Sequence, residues 1–189
     1  MGPNMISISK PEGSAAVLQY WFNTLSKNFW FKKDKEVDDY IKEHFTDHLC
    51  LALRGELFGW RKSTRGRLAE IIVLDQFSRN IYRDSGAAFE ADCLALILAQ
   101  EMVELGFDQQ IDIGERGFVY LPYMHSESRL IHQEAVKIFN QPGLEDNYKF
   151  ELLHQEIIEK FGRFPHRNKL LSRETTAEES IFLKTHKGF

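Results

Sequence analysis

The sequence has 189 residues and a net charge of −4, with 43% hydrophobic and 28% charged residues. These values are ordinary for a globular protein of one domain with a sizeable core, and the mild acidity argues against a nucleic-acid-binding protein. The longest apolar run, around residues 94–99, is far shorter than the roughly 20 residues of a membrane-spanning helix.

Helical periodicity dominates the first half of the chain. Apolar residues recur at spacings of three and four over residues 14–26, which predicts a first amphipathic helix. Asp34 is the expected N-cap of a second helix that ends near Gly55, because acidic residues load its first turns as the helix dipole favours. A third helix is predicted over residues 64–81 and a fourth over 86–105, with a glycine directly after its end.

The second half is also predicted to be helical, with one ambiguous stretch. Residues 112–124 fit either a short helix broken by Pro122 or an extended piece. Ser126 is the expected cap of the next helix, and another helix follows over 144–161. The last helix begins at Thr176, where a glutamate three residues later completes a capping box.

The predicted fold class is all-α. No segment alternates with the period of a strand and no hairpin signal is present. We therefore expect an antiparallel bundle of about eight helices joined by short loops. Residues 1–12 are expected to form a flexible N-terminal tail, and residues 13–189 a single domain.

The cysteines and the N-terminal residues indicate the cellular compartment in which the protein is expected. Cys50 and Cys93 lie in apolar helical contexts without a CxxC pattern, so we expect buried thiols in a reducing cytoplasm. The start, MGPNMISISK, contains no apolar stretch of a secretory signal. The protein is therefore expected to be cytoplasmic and to bind no membrane.

Charged residues on apolar helix faces are the first unusual feature. Asp75 and Arg79 stand one turn apart within the apolar arc of the third helix, with Gln76 and Asn80 at its edge. Asp92 lies in a stripe of alanines on the fourth helix. A buried charge needs a partner, so we expect these residues to meet each other and a further cation. The alternatives are a purely structural ion cluster and a ligand site.

A second polar region follows the ambiguous stretch. His125, Glu127 and Gln133 lie close together in the sequence, and His125 or Glu127 could act as an acid or a base. Local structure explains part of the pattern, because a glutamate in a first helical turn suits the helix dipole. No HExxH or CxxC spacing is present, so neither a metal site nor a cofactor is predicted.

The third feature is a basic segment, residues 163–173, which is rich in arginine. Pro165 disfavours helix at the residue before it, so we expect a loop. Arginine suits forked recognition of carboxylate or phosphate, and a histidine could tune the charge near neutral pH. The segment either lines an anion site or attaches the loop to acidic residues of the helices. The expected ligand-binding residues within it are Arg163, His166, Arg167 and Asn168.

Three sequence blocks carry a family resemblance. LAEIIVLDQFSRNIYRDSGAAFEAD (68–92), FVYLPYMHSE (118–127) and FGRFPHRNKLLSRETTAEES (161–180) together resemble the mainly bacterial family named domain of unknown function 924. The likeness covers roughly residues 15–183. It implies an all-helical fold similar to tetratricopeptide-repeat arrays, but no established activity. The resemblance also implies a glycine where Leu171 or Ser172 stands in this chain.

The resemblance implies one shared polar set, drawn from all three blocks. Our leading hypothesis is a pocket lined by this set that binds a small anionic or polar metabolite. One alternative is a helical interaction module that binds a peptide and has a structural charge cluster, and metal-assisted hydrolysis is the third. The oligomeric state stays open. The set comprises Asp75, Gln76, Arg79, Asn80, Asp92, His125, Ser126, Glu127, Gln133, Arg163, Phe164, Pro165, Arg167 and Asn168.

Overall fold

A computed structural model describes residues 13–186 and residue 188, and over these residues the chain forms eight helices and no strand. The predicted all-α class is therefore confirmed, whereas the likeness to tetratricopeptide-repeat folds stays a prediction. The expected tail over residues 1–12 lies outside the described residues. The helices are α1 (Ser14–Leu18, continued by a π-helical turn over Gln19–Thr24), α2 (Lys35–Leu53), α3 (Thr64–Ile72, continued through Val73–Phe77 and Ser78–Ile81), α4 (Asp92–Glu104), α5 (Ile113–Met124), α6 (Arg129–Phe139), α7 (Glu145–Phe161) and α8 (Ala177–Phe182).

Helix α3 is central to the fold. It packs against α1, α2, α4 and α5, while the later helices pack mainly on their neighbours in sequence. Residues 68–77 of α3 are all buried, which is the pattern of a helix enclosed on every side. Any polar group in this stretch is therefore removed from water and needs a partner within the protein.

The helix termini show why the chain folds in these segments. The Asp34 carboxylate accepts hydrogen bonds from the backbone N–H groups of Glu36 and Val37, as expected of an N-cap. Thr176 and Glu179 form the predicted capping box at α8. Gly106 and Gly162 follow the ends of α4 and α7 and have positive φ angles. Glycine adopts this conformation at little steric cost, and the turn lets the last carbonyl groups of the helix form hydrogen bonds.

Three local predictions are corrected by the structure. Helix α4 begins at Asp92 and not at residue 86, because residues 86–89 form a separate 3₁₀ turn that is capped by Ser85. Residues 113–124 form one helix with Pro122 inside it. Helix α6 begins at Arg129, so Ser126 is not its cap; its carbonyl instead accepts a hydrogen bond from a histidine of α6.

The alanine stripe is confirmed as a buried surface, since Ala88, Ala91, Ala95 and Ala99 are each at most 4% exposed. The expected burial of both cysteines is wrong. Cys93 is exposed and Cys50 is partly buried, and both thiols are free. A free, exposed thiol is still typical of a reducing compartment.

The basic segment lies against the start of α4. A Cβ atom built on Gly86 would be 2.6 Å from the carbonyl oxygen of Leu170, so this close approach requires glycine. Ser172 has a φ of 53°, in the left-handed region that costs a non-glycine residue roughly 1–2 kcal/mol. This is one of the two positions where the family resemblance implies glycine. Serine in place of glycine at this position therefore keeps the left-handed turn but strains its backbone.

We expect Ser172→Gly to raise the free energy of unfolding by about 0.5–1 kcal/mol, because relief of the left-handed strain exceeds the extra chain entropy of glycine. Chemical denaturation measures the change. Ser180→Gly, in the exposed part of α8, is the matched control and should lower stability. Equal destabilisation by both substitutions would contradict the prediction.

Candidate functional site

A π-helical turn over Val73–Phe77 places the first two polar residues of the site. Such turns shift the register of side chains and are frequent at functional sites. Asp75 is 1% exposed, and the side-chain amide of Gln76 donates a hydrogen bond of 2.6 Å to its Oδ2 atom. The turn therefore fixes a buried carboxylate in one orientation.

His125, the residue that ends α5, pairs with this carboxylate. Its Nδ1 atom lies 2.7 Å from Asp75 Oδ1, and because an ionised carboxylate only accepts, Nδ1 carries the hydrogen. Burial lowers the pKa of His125, against the opposing effect of Asp75. The other ring nitrogen, Nε2, makes no hydrogen bond to any residue in the part of the chain that the structure describes. The pair therefore holds a neutral imidazole with Nε2 available as a base.

Asp75 remains ionised in this environment. Burial alone would raise its pKa, but the charge of Arg79 and the hydrogen bonds from His125 and Gln76 lower it. Arg79 Nη1 donates a hydrogen bond of 2.5 Å to the backbone carbonyl of Asp75 and lies 3.3 Å from its Oδ1 atom. The predicted i,i+4 pair is therefore present, with Asp75 buried and Arg79 partly buried.

Asp92 joins α4 to this pair and to the basic segment. Its Oδ1 atom lies 2.8 Å from Arg79 Nη2, although the N–H direction does not meet the geometry of a hydrogen bond. Its Oδ2 atom accepts a hydrogen bond of 3.2 Å from Arg167 Nη1. One carboxylate is thus shared by two arginines from different parts of the chain.

Arg167 is the most deeply buried arginine of the site, with 6% of its surface exposed. Its guanidinium carbon lies 4.5 Å from the ring centroid of Phe89 and 4.6 Å from that of Phe164, so both rings fix the plane of the group. Burial and the nearby Arg79 lower its pKa to about 10. Its Nε atom is buried and has no hydrogen-bond partner within residues 13–186 and 188.

These contacts define two adjoining groups. The central cluster comprises Asp75, Arg79, Asp92, His125 and Arg167. The glutamate cluster attaches the rest of the basic segment and comprises Glu127, Arg163, Asn168, Arg173 and Glu179.

The glutamate cluster is fully paired. Glu127 accepts the backbone N–H of Phe164 at 2.7 Å and a forked pair of hydrogen bonds from Arg173 at 2.5 and 2.9 Å. Although burial opposes the shift, these bonds lower the pKa of Glu127. Arg163 forms a second forked pair with Glu179 at 2.7 and 2.9 Å. The hydrogen bonds from Arg163, together with those from Thr176, lower the pKa of Glu179 to about 2 despite the opposing effect of burial.

Six predicted ligand residues do not lie in the central cluster. Two of them adjoin it, because Gln76 donates to Asp75 and His166 precedes Arg167 in the chain; the other four lie elsewhere. Asn80 donates to Asp38 of α2 at 2.8 Å. Gln133 lies on the exposed face of α6. Arg163 and Asn168 both bind Glu179. A ligand role for these residues stays a prediction, and it receives no support from their positions.

His166 lies next to Arg167 at the edge of the site. It packs on Phe164, with ring centroids 5.5 Å apart, and its buried Nδ1 atom has no hydrogen-bond partner among the described residues. Burial, followed by the charge of Arg167, lowers its pKa to about 4. His166 is therefore a neutral side chain at pH 7.

Sequence reasoning missed one buried ionisable pair. His132 Nδ1 lies 2.7 Å from Glu151 Oε1, and neither side chain is exposed. Burial raises the pKa of Glu151, against the effect of His132. The apolar setting of His132 was visible in the sequence, but Glu151 lies on another helix and no local spacing connects the two.

Neither a metal site nor a membrane-spanning helix is found among the described residues. Residues 13–186 and 188 contain no group of three or more His, Cys, Asp or Glu side chains arranged to hold a metal ion. Across the same residues, no helix combines the length and the apolar character needed to cross a bilayer. Two surface clefts of about 360 and 350 Å³ lie away from the central cluster and share no lining residue with it.

The fold and the buried arginine–carboxylate groups define an all-helical protein with a polar centre. A family model described as a bacterial protein of unknown function (DUF924) matches residues 17–187. The chain belongs to this family, which confirms the resemblance carried by the three sequence blocks. A solved structure, the protein of unknown function ATU0120 from Agrobacterium tumefaciens, is 35% identical, with a TM-score of 0.83 over 92% of this chain and 97% of that chain. A comparison with curated proteins found no match.

The buried histidines generate a prediction for stability against pH. His154 and His166 have pKa values of about 3 and 4, both lowered chiefly by burial. In the unfolded chain a histidine titrates near pH 6.5, so the unfolded state binds more protons below that pH. The free energy of unfolding should therefore fall between about pH 6.5 and 4, by up to about 2 kcal/mol per histidine at pH 5.

Urea denaturation at pH 7 and pH 5 measures this loss. His166→Gln should reduce the difference between the two pH values, whereas His44→Gln, at an exposed position of α2, should leave it unchanged. A free energy of unfolding that is constant over this range would contradict the assignment of neutral buried histidines.

Proposed function

We propose that the protein is a cytoplasmic, helical ligand-binding protein whose central cluster binds a small anionic molecule. The observation that carries the proposal is Arg167, which is 6% exposed and has a buried Nε atom without a partner. Of the several N–H donors of a guanidinium, one donates a hydrogen bond within the described residues, to Asp92. A buried donor without an acceptor costs about 1–3 kcal/mol, and an oxyanion would remove that cost.

Arg79 supports the same proposal. It donates to the backbone carbonyl of Asp75 and forms an ion pair with Asp92, whose Oδ1 atom lies 2.8 Å from Nη2, while its remaining N–H groups have no acceptor within the described residues. Two arginines with unused donors therefore lie on either side of one carboxylate. Carboxylate and phosphate oxygens are the acceptors that guanidinium groups recognise best.

Ligand access is supported by partial exposure at the rim of the cluster. The side chains of Arg79, Asp92 and His125 are 20%, 17% and 17% exposed, while Asp75 and Arg167 lie deeper. These exposed fractions are small, so we expect only the anionic end of a ligand to reach the guanidinium groups. The cytoplasmic location is supported by two free thiols.

The arginines provide the test. Thermal unfolding is followed with acetate, succinate, inorganic phosphate and pyrophosphate, each against sodium chloride at the same ionic strength. An anion present at 100 times its dissociation constant should stabilise the protein by about 2.7 kcal/mol. Arg167→Lys should abolish this response, since an ammonium lacks the planar fork.

Arg61→Lys is the matched control. Arg61 forms a forked pair with the buried Glu70 at 2.7 and 2.8 Å, outside the central cluster, so its substitution should leave the response to anions intact. The alternative function, an interaction module with a structural charge cluster, predicts a lower melting temperature for Arg167→Lys and no stabilisation of the wild-type protein by any of the anions.

A further inference from the structure

The central cluster is electrically balanced before any ligand enters. Arg79 and Arg167 contribute two positive charges, and Asp75 and Asp92 contribute two negative charges. His125 is neutral, because burial lowers its pKa against the opposing effect of Asp75. The neighbouring glutamate cluster balances its own charges through two forked ion pairs. A monoanion that enters the central cluster would therefore leave one uncompensated negative charge.

An uncompensated charge in a largely buried site is costly, because the surroundings screen it much less than water does. His125 is positioned to remove it. Its Nδ1–H group stays bound to Asp75, while Nε2 has no hydrogen-bond partner among the described residues and can accept a proton from solvent. The charged and titratable groups that act on His125 from the surrounding elements are Asp75 and Arg79 of α3, Asp92 of α4, His154 of α7 and Arg167 of the basic segment.

We propose that the ligand of the central cluster is a carboxylate monoanion and that His125 binds one proton when the carboxylate enters. This inference rests on the proposed function. The proton comes from solvent and forms an N–H bond at Nε2; no other bond forms or breaks. The imidazolium then offsets the charge of the carboxylate, and the cluster returns to zero net charge.

The charge balance selects the ligand class. A phosphate dianion would leave one negative charge even after His125 is protonated, whereas a carboxylate leaves none. The planar guanidinium of Arg167, held between Phe89 and Phe164, matches the planar fork of a carboxylate. The site should therefore prefer acetate, which carries a single negative charge at pH 7, to the phosphate dianion.

The experiment is an NMR titration of the histidine rings of the wild-type protein, with and without saturating acetate. Long-range proton–nitrogen spectra report the protonation of each ring, and sodium chloride at equal ionic strength is the control. Acetate should raise the proton affinity of His125 at least tenfold, and the chloride control should not. By linkage, the apparent dissociation constant of acetate should fall as the pH decreases. The fall should approach tenfold per pH unit between the titration midpoints of His125 in the presence and absence of acetate.

His125→Asn assigns the signal and tests the mechanism. The asparagine amide can keep the hydrogen bond to Asp75 but has no titrating nitrogen, so acetate binding should lose its dependence on pH. His44→Asn, at an exposed site of α2, should retain it. The titration of the wild-type protein needs no variant, so a His125→Asn protein that fails to fold would not prevent the test.

The outcomes separate the two proposals. Stabilisation by acetate that depends on Arg167, without a change in His125 protonation, would overturn this inference and leave the proposed function intact. Stronger stabilisation by phosphate dianion than by acetate would overturn the ligand class. If none of the anions stabilises the protein, the proposed function fails, and this inference fails with it.

Discussion

The ion pairs of Asp92 hold together the part of the molecule on which the site depends. Asp92 begins α4, and its two oxygens face Arg79 of α3 and Arg167 of the basic segment. A central helix, its neighbour and a long loop are therefore joined at one carboxylate. Removal of this group would leave two buried guanidinium groups with too few acceptors, a far larger cost than the loss of one exposed ion pair.

The glutamate cluster and the central cluster differ in how completely their charged groups are hydrogen-bonded. In the glutamate cluster every arginine is used in forked hydrogen bonds, and the acidic partners have lowered pKa values. That arrangement fixes the loop. In the central cluster, Arg167 Nε and His125 Nε2 have no hydrogen-bond partner among the described residues. Incomplete satisfaction of buried polar groups is uncommon in native proteins and calls for an explanation, and the proposed ligand would supply one.

Much of the fold could be predicted because its signals are local. The segment 64–81 was predicted from apolar periodicity and is one continuous helix, and the capping box at Thr176 depends on residues three positions apart. Predictions failed where distant contacts decide the local structure. Residues 86–89 form a 3₁₀ turn where Leu170 packs against Gly86, and the helix begins after it.

The same division applies to the candidate site. The sequence alone predicted that Asp75, Arg79 and Asp92 would need charged partners and that arginines of the basic segment would meet acids of the helices, because a charge on an apolar helix face has to be compensated. Only the tertiary structure decided which partners meet. It paired His125 with Asp75, assigned Arg167 to Asp92, and directed Arg163 and Asn80 to other acids. The physical reason is that pairing depends on how helices pack and on where a π-helical turn aims its side chains, and neither is contained in the spacing of residues along one helix.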